Sequence, residues 1–302
     1  MTDPTMRAQF ATTTSALLHE DPRVALVLAD ISTAYFEEAS SAHPERVVNV
    51  GIMEQTAVSL AAGFALEGFI PFVHSIAPFL VERPYEQIKD DFCYQGLGGV
   101  FASTGASYDY ASDGMTHHGS GDVPILKILP RMEVLVPGTA TELDALLRQT
   151  YADGAPTYIR ISERTNAESR AVRFGRLEVV RDGRGPTIVA VGPLLDAALE
   201  AAGDADASIV YCTTVVPFDG DTLRGVVAGG DGSVLLVEPY YAGGLVPDIV
   251  AALAPRSVRI ETMGVPRAVL SRYGTREDHD RALGLTAQGI RARLAGLVAA
   301  RA

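Results

Sequence analysis

Residues 49–66 read Asn-Val-Gly-Ile-Met-Glu-Gln-Thr-Ala-Val-Ser-Leu-Ala-Ala-Gly-Phe-Ala-Leu. A strand-like run, Val47–Val50, ends at Gly51, a residue that permits a sharp turn. Glu54 then opens a helix-length segment, Glu54–Glu67. The centre of that segment is apolar on nearly every face, so the helix is expected to be buried all round rather than amphipathic. Gly63 lowers its helix propensity by about 1 kcal/mol relative to Ala, which points to close packing against a neighbour. Such a helix, directly after a loop, is expected at a subunit interface; an ordinary core helix is the alternative.

The same strand–turn–helix rhythm extends in both directions. Val24–Ala29, Ile70–Val73, Gly98–Ala102, Val134–Val136 and Thr157–Ile161 read as further strands. Met6–Leu18, Arg83–Tyr94 and Thr141–Tyr151 read as helices. Alternation of this kind predicts a mostly parallel sheet with helices on both faces. Ser162–Gly185 is polar and Arg-rich, and a domain boundary is placed there. A second series follows, with strands Thr187–Val191, Ser208–Cys212, Val234–Val237 and Val258–Glu261. Its helices are Leu194–Ala202, Gly244–Leu253 and Thr286–Leu297. The expected fold class is therefore α/β, with domains at 1–170 and 183–302 and a mixed sheet in the second.

Composition agrees and excludes several function classes. A length of 302 residues suits two domains. A net charge of −12 gives no electrostatic reason to approach nucleic acid or an anionic membrane. An anionic substrate would have to be held by a few local arginines. Two cysteines, Cys93 and Cys212, cannot build a disulfide scaffold. The first 18 residues lack an apolar core for a signal peptide, and no apolar run is long enough to span a membrane. A soluble cytoplasmic protein is expected.

Three constellations carry chemistry. Glu54 stands where a helix N-terminus favours its ionised form and burial favours its neutral form. If burial wins, it can share a proton with a ligand nitrogen; the plain alternative is a helix cap. Asp113-Gly114-Met115-Thr116-His117-His118-Gly119 lies in a polar loop rich in Gly and Ser, a type of loop that is usually functional. Its histidines can run acid–base steps, bond sugar hydroxyls or, less suitably, bind a metal. Arg7, Arg83 and Arg160 form a basic set. Arg160 ends a predicted parallel strand, where open sheets place ligands, and Arg suits phosphate; a salt bridge is the alternative for each. Gly230-Asp231-Gly232 resembles half of a magnesium–diphosphate motif, but no Asn follows it, the two in the chain being Asn49 and Asn166. It reads as a turn.

Taken together, these residues resemble the second half of transketolase. GIMEQ, the stretch to KDD at 89–91, DGMTHHG, VLVPGTATELDALL and PTYIRIS are similar to the pyrimidine-binding domain of transketolases and deoxyxylulose-phosphate synthases. TIVAVGPLLDAALEAA, LLVEPYYAGGLVPDIV and YGTREDHDRALGLTAQGIRARL resemble the family's C-terminal domain. The resemblance implies thiamine diphosphate as cofactor. Glu54 matches the glutamate that bonds the pyrimidine N1′ and shares the proton from which the cofactor's carbanion chemistry starts. Phe79 matches an aromatic packed on the pyrimidine; Ile76 takes a place usually aromatic, and His74 one where Tyr is common. Asp113 and His117 match residues at the donor sugar's hydroxyls and reacting oxygens. His118 replaces a common Gln. Arg160 and Arg7 match arginines that hold a substrate phosphate.

The resemblance also has gaps. Thr104–Ser112 lacks the His of transketolases and the Arg of deoxyxylulose-phosphate synthases, which disfavours a standard pentose phosphate. The family's diphosphate- and Mg²⁺-binding domain has no counterpart. The expectation is a split transketolase: this chain holds the pyrimidine half, and an N-terminal-half partner subunit holds Mg²⁺, in a heterotetramer with two copies of each. No metal ligand is expected here. The rivals are the beta subunit of a 2-oxo-acid dehydrogenase, a deoxyxylulose-phosphate-synthase-like enzyme, and a non-catalytic partner subunit.

Overall fold

The structure, a computed structural model, describes residues 4–299. In chain order the first half contains α1 (Met6–Glu20), β1 (Val24–Leu28), α2 (Glu37–Ala42), β2 (Val47–Asn49), α3 (Glu54–Leu66), β3 (Ile70–Ile76) and α4 (Ala77–Val81). It continues with α5 (Tyr85–Gln87), a π-helical turn at Ile88–Tyr94, β4 (Gly99–Thr104), α6 (Asp122–Leu126), β5 (Glu133–Leu135), α7 (Ala140–Thr150) and β6 (Pro156–Arg160). The second half contains β7 (Glu178–Arg181), β8 (Thr187–Val191), α8 (Leu195–Ala202), β9 (Ser208–Cys212), β10 (Thr214–Val216), α9 (Gly220–Gly229), β11 (Ser233–Tyr241), α10 (Val246–Leu253), β12 (Arg259–Val265), α11 (Arg276–Leu283) and α12 (Ala287–Ala299).

Two sheets result. The first runs β10-β5-β6-β4-β3-β1-β2, parallel except for β10. The second runs β12-β11-β8-β9-β7, parallel except for β7. Central strands such as β1 and β8 are buried at every residue, because helices cover both faces. The expected α/β class, with a mixed second sheet, holds.

Three local readings are corrected. The helix expected at Arg83–Tyr94 starts only after Pro84, which caps it, and then widens into a π turn. Helix α3 is not buried all round in the single chain. Ala57, Val58, Ala61 and Ala62 pack inward, but Gln55, Ser59, Leu60 and Leu66 face outward, and the space over Gly63 is open. Its mixture of Ala and Gly concealed which face was which. β10 was not anticipated. It leaves the second half of the chain to pair antiparallel with β5 of the first sheet, Thr214 opposite Leu135.

Side chains also join the halves. The Glu142 carboxylate on α7 accepts from the Gly138 and Arg170 backbone N–H groups and from the Tyr211 hydroxyl on β9 at 2.6 Å. Residues 230–232 form the turn between α9 and β11, as read, with Asp231 accepting from Ser233 N at 2.7 Å.

Candidate functional site

Glu54 is the first residue of α3 and is only 2 % exposed. Among the described residues, Arg83 reaches it: Nη1 donates to both carboxylate oxygens, at 3.0 and 3.1 Å. The same guanidinium lies over the ring of Phe79, 3.9 Å from its centroid. Phe79 is placed by α4, which begins directly after β3 with Pro78 in its first turn. A flat, cationic, hydrogen-donating group thus fills a slot with an aromatic face on one side and a carboxylate on the other. That chemistry fits a flat nitrogen heterocycle, so the residues present fit the pyrimidine of the cofactor implied above.

The Asp113–Gly119 loop forms the next wall. Two short 3₁₀ turns, Ala111–Asp113 and Met115–His117, meet at Gly114. Gly114 has φ +72°, and a Cβ there would lie 2.8 Å from the Tyr273 ring, so both backbone and space require glycine. His117 is half-buried, with its ring edge-on to Phe79 at 5.0 Å and its Nδ1 3.0 Å from the Thr116 hydroxyl. Asp113 is exposed on the same loop. Structure therefore brings Glu54, Phe79 and His117 into one cluster.

The other expected site residues are placed differently. His74 is fully buried on β3, with Nδ1 on the Ala102 carbonyl at 2.8 Å and Nε2 on the Ser32 hydroxyl at 2.7 Å. Burial lowers its pKa to about 4, so it stays neutral. Ser32 also accepts from Arg7 Nε at 2.9 Å, so His74 supports Arg7 through Ser32. Ile76 is half-buried at the end of β3, paired with Thr104. His118 is buried edge-on against His279 of α11 at 5.6 Å, and burial lowers its pKa.

Arg160 is closed away. It is 1 % exposed; Nε donates to Asp122 at 2.6 Å, and Nη2 donates to the Ser107 hydroxyl and the Gly119 carbonyl. Tyr158 donates to the same Asp122 oxygen at 2.7 Å. The pair pins both ends of the Gly105–Gly121 loop. Arg7, in contrast, is half-buried at a cavity and lies 5.4 Å over the Tyr35 ring.

Sequence reasoning missed the pairing of Arg83 with Glu54. The signal was its spacing of four residues from Phe79, which puts two side chains on one face of a helical turn. It also missed Ser32 and Asp122, whose roles come from distant contacts. Among the described residues no cluster of three or more His, Cys, Asp or Glu could hold a metal ion. None of their helices is long and apolar enough to cross a membrane.

Residues 2–167 match the family described as transketolase, pyrimidine binding domain, and residues 175–290 match transketolase, C-terminal domain. A Rhodococcoides fascians protein, described as an uncharacterized 33.6 kDa protein in the fasciation locus, is 40% identical over 287 residues, covering 94% of this chain and 92% of its own. The 1-deoxy-D-xylulose-5-phosphate synthase of Thermus thermophilus is 32% identical over 299 residues, covering 95% of this chain but 48% of that enzyme. The chain thus spans about half the length of such relatives. Among solved structures, one described as a split gene transketolase, inactive beta4 tetramer, superposes with a TM-score of 0.86 at 27% identity, covering 98% of this chain and 99% of the other. A Campylobacter jejuni transketolase shares the fold, at TM-score 0.82 and 17% identity over 47% of its length.

Proposed function

The chain belongs to the transketolase family, as a pyrimidine-binding domain followed by a C-terminal domain, and from that premise we propose that it is one subunit of a divided, thiamine-diphosphate-dependent transketolase. It would move a two-carbon ketol unit between small sugars. The observation that carries this reading is the slot between Glu54 and Phe79, with His117 at its edge. When bound, thiamine diphosphate supplies the electron sink for carbon–carbon bond cleavage.

The residues of this chain have separate tasks. Glu54 holds or gives up a proton at the pyrimidine N1′, once Arg83 has moved off its carboxylate. Phe79 packs on the pyrimidine, and Ile76 offers apolar contact near it. His117 and Asp113 bond hydroxyls and the oxygen that changes charge, for which a half-buried imidazole is suited. Arg7, steadied by Ser32 and His74, faces the remote end of the substrate. Arg160 keeps the substrate loop in shape rather than touching substrate. The N-terminal-half partner subunit would provide the diphosphate grip and Mg²⁺, in a heterotetramer working in the cytoplasm. The similarity to a split-gene transketolase over 99% of that chain supports this division. So does the outward apolar surface of Ile52, Met53, Leu60 and Leu66, which a partner would cover.

Titration of thiamine diphosphate with Mg²⁺ tests this. The chain alone is expected to bind it weakly, and the chain reconstituted with its partner tightly. Glu54→Gln in the reconstituted complex is expected to keep the fold and lose turnover by at least about a hundredfold, the scale of a lost proton-transfer group. Full turnover by Glu54→Gln, or tight Mg²⁺-dependent binding to the chain alone, would overturn the proposal.

A further inference from the structure

The cavity beside Arg7 has a volume of about 440 Å³, within the usual range for small-molecule sites. It opens at the carboxyl ends of β4 and β6, at Thr104 and Ile161, between the first turns of α1 and α7. Tyr110 links it to the slot described above: its hydroxyl lies 3.4 Å from Thr104 Oγ1, and its ring stands edge-on to His117 at 6.5 Å.

Its charges are balanced. Among the described residues that line it, Arg7 is the cation and Glu163 the carboxylate. Arg7 donates to Ser32, while Arg160, also of the basic set, is buried against Asp122 and does not line the cavity. Glu163 is exposed at the cavity, and its backbone N–H donates to Asp109 at 2.9 Å, which fixes its main chain. Burial pushes the Asp109 carboxyl up to about 7, against the opposing pull of the Glu163 backbone N–H and of Arg160. Ser162 and Thr165 add neutral hydroxyls.

A phosphate dianion entering this cavity would meet a carboxylate as well as a guanidinium, and the repulsion offsets the attraction. Sugar hydroxyls suit both, donating to Glu163 and accepting from Arg7. Resting on the transketolase reading, we propose that this cavity receives the hydroxyl-bearing tail of an unphosphorylated sugar, with Glu163 as the residue that turns phosphate away.

The probe is inorganic phosphate, titrated calorimetrically into the full chain at low ionic strength. No saturable binding is expected up to roughly 10 mM, a weak limit on the affinity scale. Glu163→Arg replaces a carboxylate by a cation at an exposed position, so it should fold and should bind phosphate at least about tenfold more tightly; adding Arg7→Ala should remove that gain. In the reconstituted complex, kcat/KM for an unphosphorylated ketose should exceed that for its phosphate ester, and Glu163→Arg should invert the order. Saturable millimolar binding by the natural chain that is lost in Arg7→Ala would overturn the proposal, as would a Glu163→Arg chain that gains nothing. A complex that turns over neither sugar would refute the transketolase reading, while the phosphate titration still decides the cavity.

Discussion

Arg83 and Arg160 carry the same side chain into opposite situations. Arg83 is half open to solvent and caps a buried carboxylate from outside, so it has room to swing away. Arg160 and Asp122 are each about 1 % exposed and have nowhere to go. A buried pair contributes little against an apolar replacement, but breaking it strands a charge. Asp122→Asn is therefore expected to destabilise the chain by about 3–5 kcal/mol in urea unfolding, and Arg160→Met with Asp122→Leu to recover most of that. A single-variant loss below about 1 kcal/mol would sink this account of the pair. Glu54 could be singled out from its neighbours alone, because strand, turn and helix are consecutive in the chain. Arg160 could not be placed that way. Its position at a strand end was clear, but its partner lies 38 residues earlier, and local pattern is silent on which of two surfaces a long side chain will join.

At the scale of elements, legibility followed length and burial. β1, β8 and β9 are continuous apolar runs buried on both faces, and they were read within a residue or so. β7 and β10 have four and three residues, too few for any periodicity to register. Helix α3 was recognised as a helix but misread in its faces, since Ala and Gly say little about polarity. Its outward residues now make a direct prediction. Leu60→Asp with Leu66→Asp alters exposed positions only, so the far-UV circular dichroism and melting of the single chain should change little. Assembly with further subunits, followed by sedimentation velocity, should fall by at least about tenfold in affinity, two buried leucines being worth more than that. Unchanged assembly would mark the face as ordinary solvent surface.

Over the whole molecule, sequence order and spatial order part company. Alternation predicted two α/β halves, and two sheets are present, but the first sheet is completed by β10 from the second half. Pro239 and Ser120 strengthen the bond between halves: Ser107 donates to the Pro239 carbonyl, and the Tyr241 N–H donates to the Ser120 carbonyl. A fragment of residues 1–170 would carry β1–β6 with the β5 edge bare, and bare edges invite association. It is expected to elute as aggregates in size-exclusion chromatography, with no cooperative melt, unless residues 171–302 are supplied alongside. A monomeric, cooperatively melting fragment would count against this dependence. The same strand exchange sets a clock on the ribosome. β10 begins about 80 residues after β5 ends, and at translation speeds of about 5–20 residues per second the edge of the nascent sheet waits roughly 4–16 s for its cover. During that interval the newborn chain, and not the finished fold, is the form most exposed to pairing with the wrong neighbour.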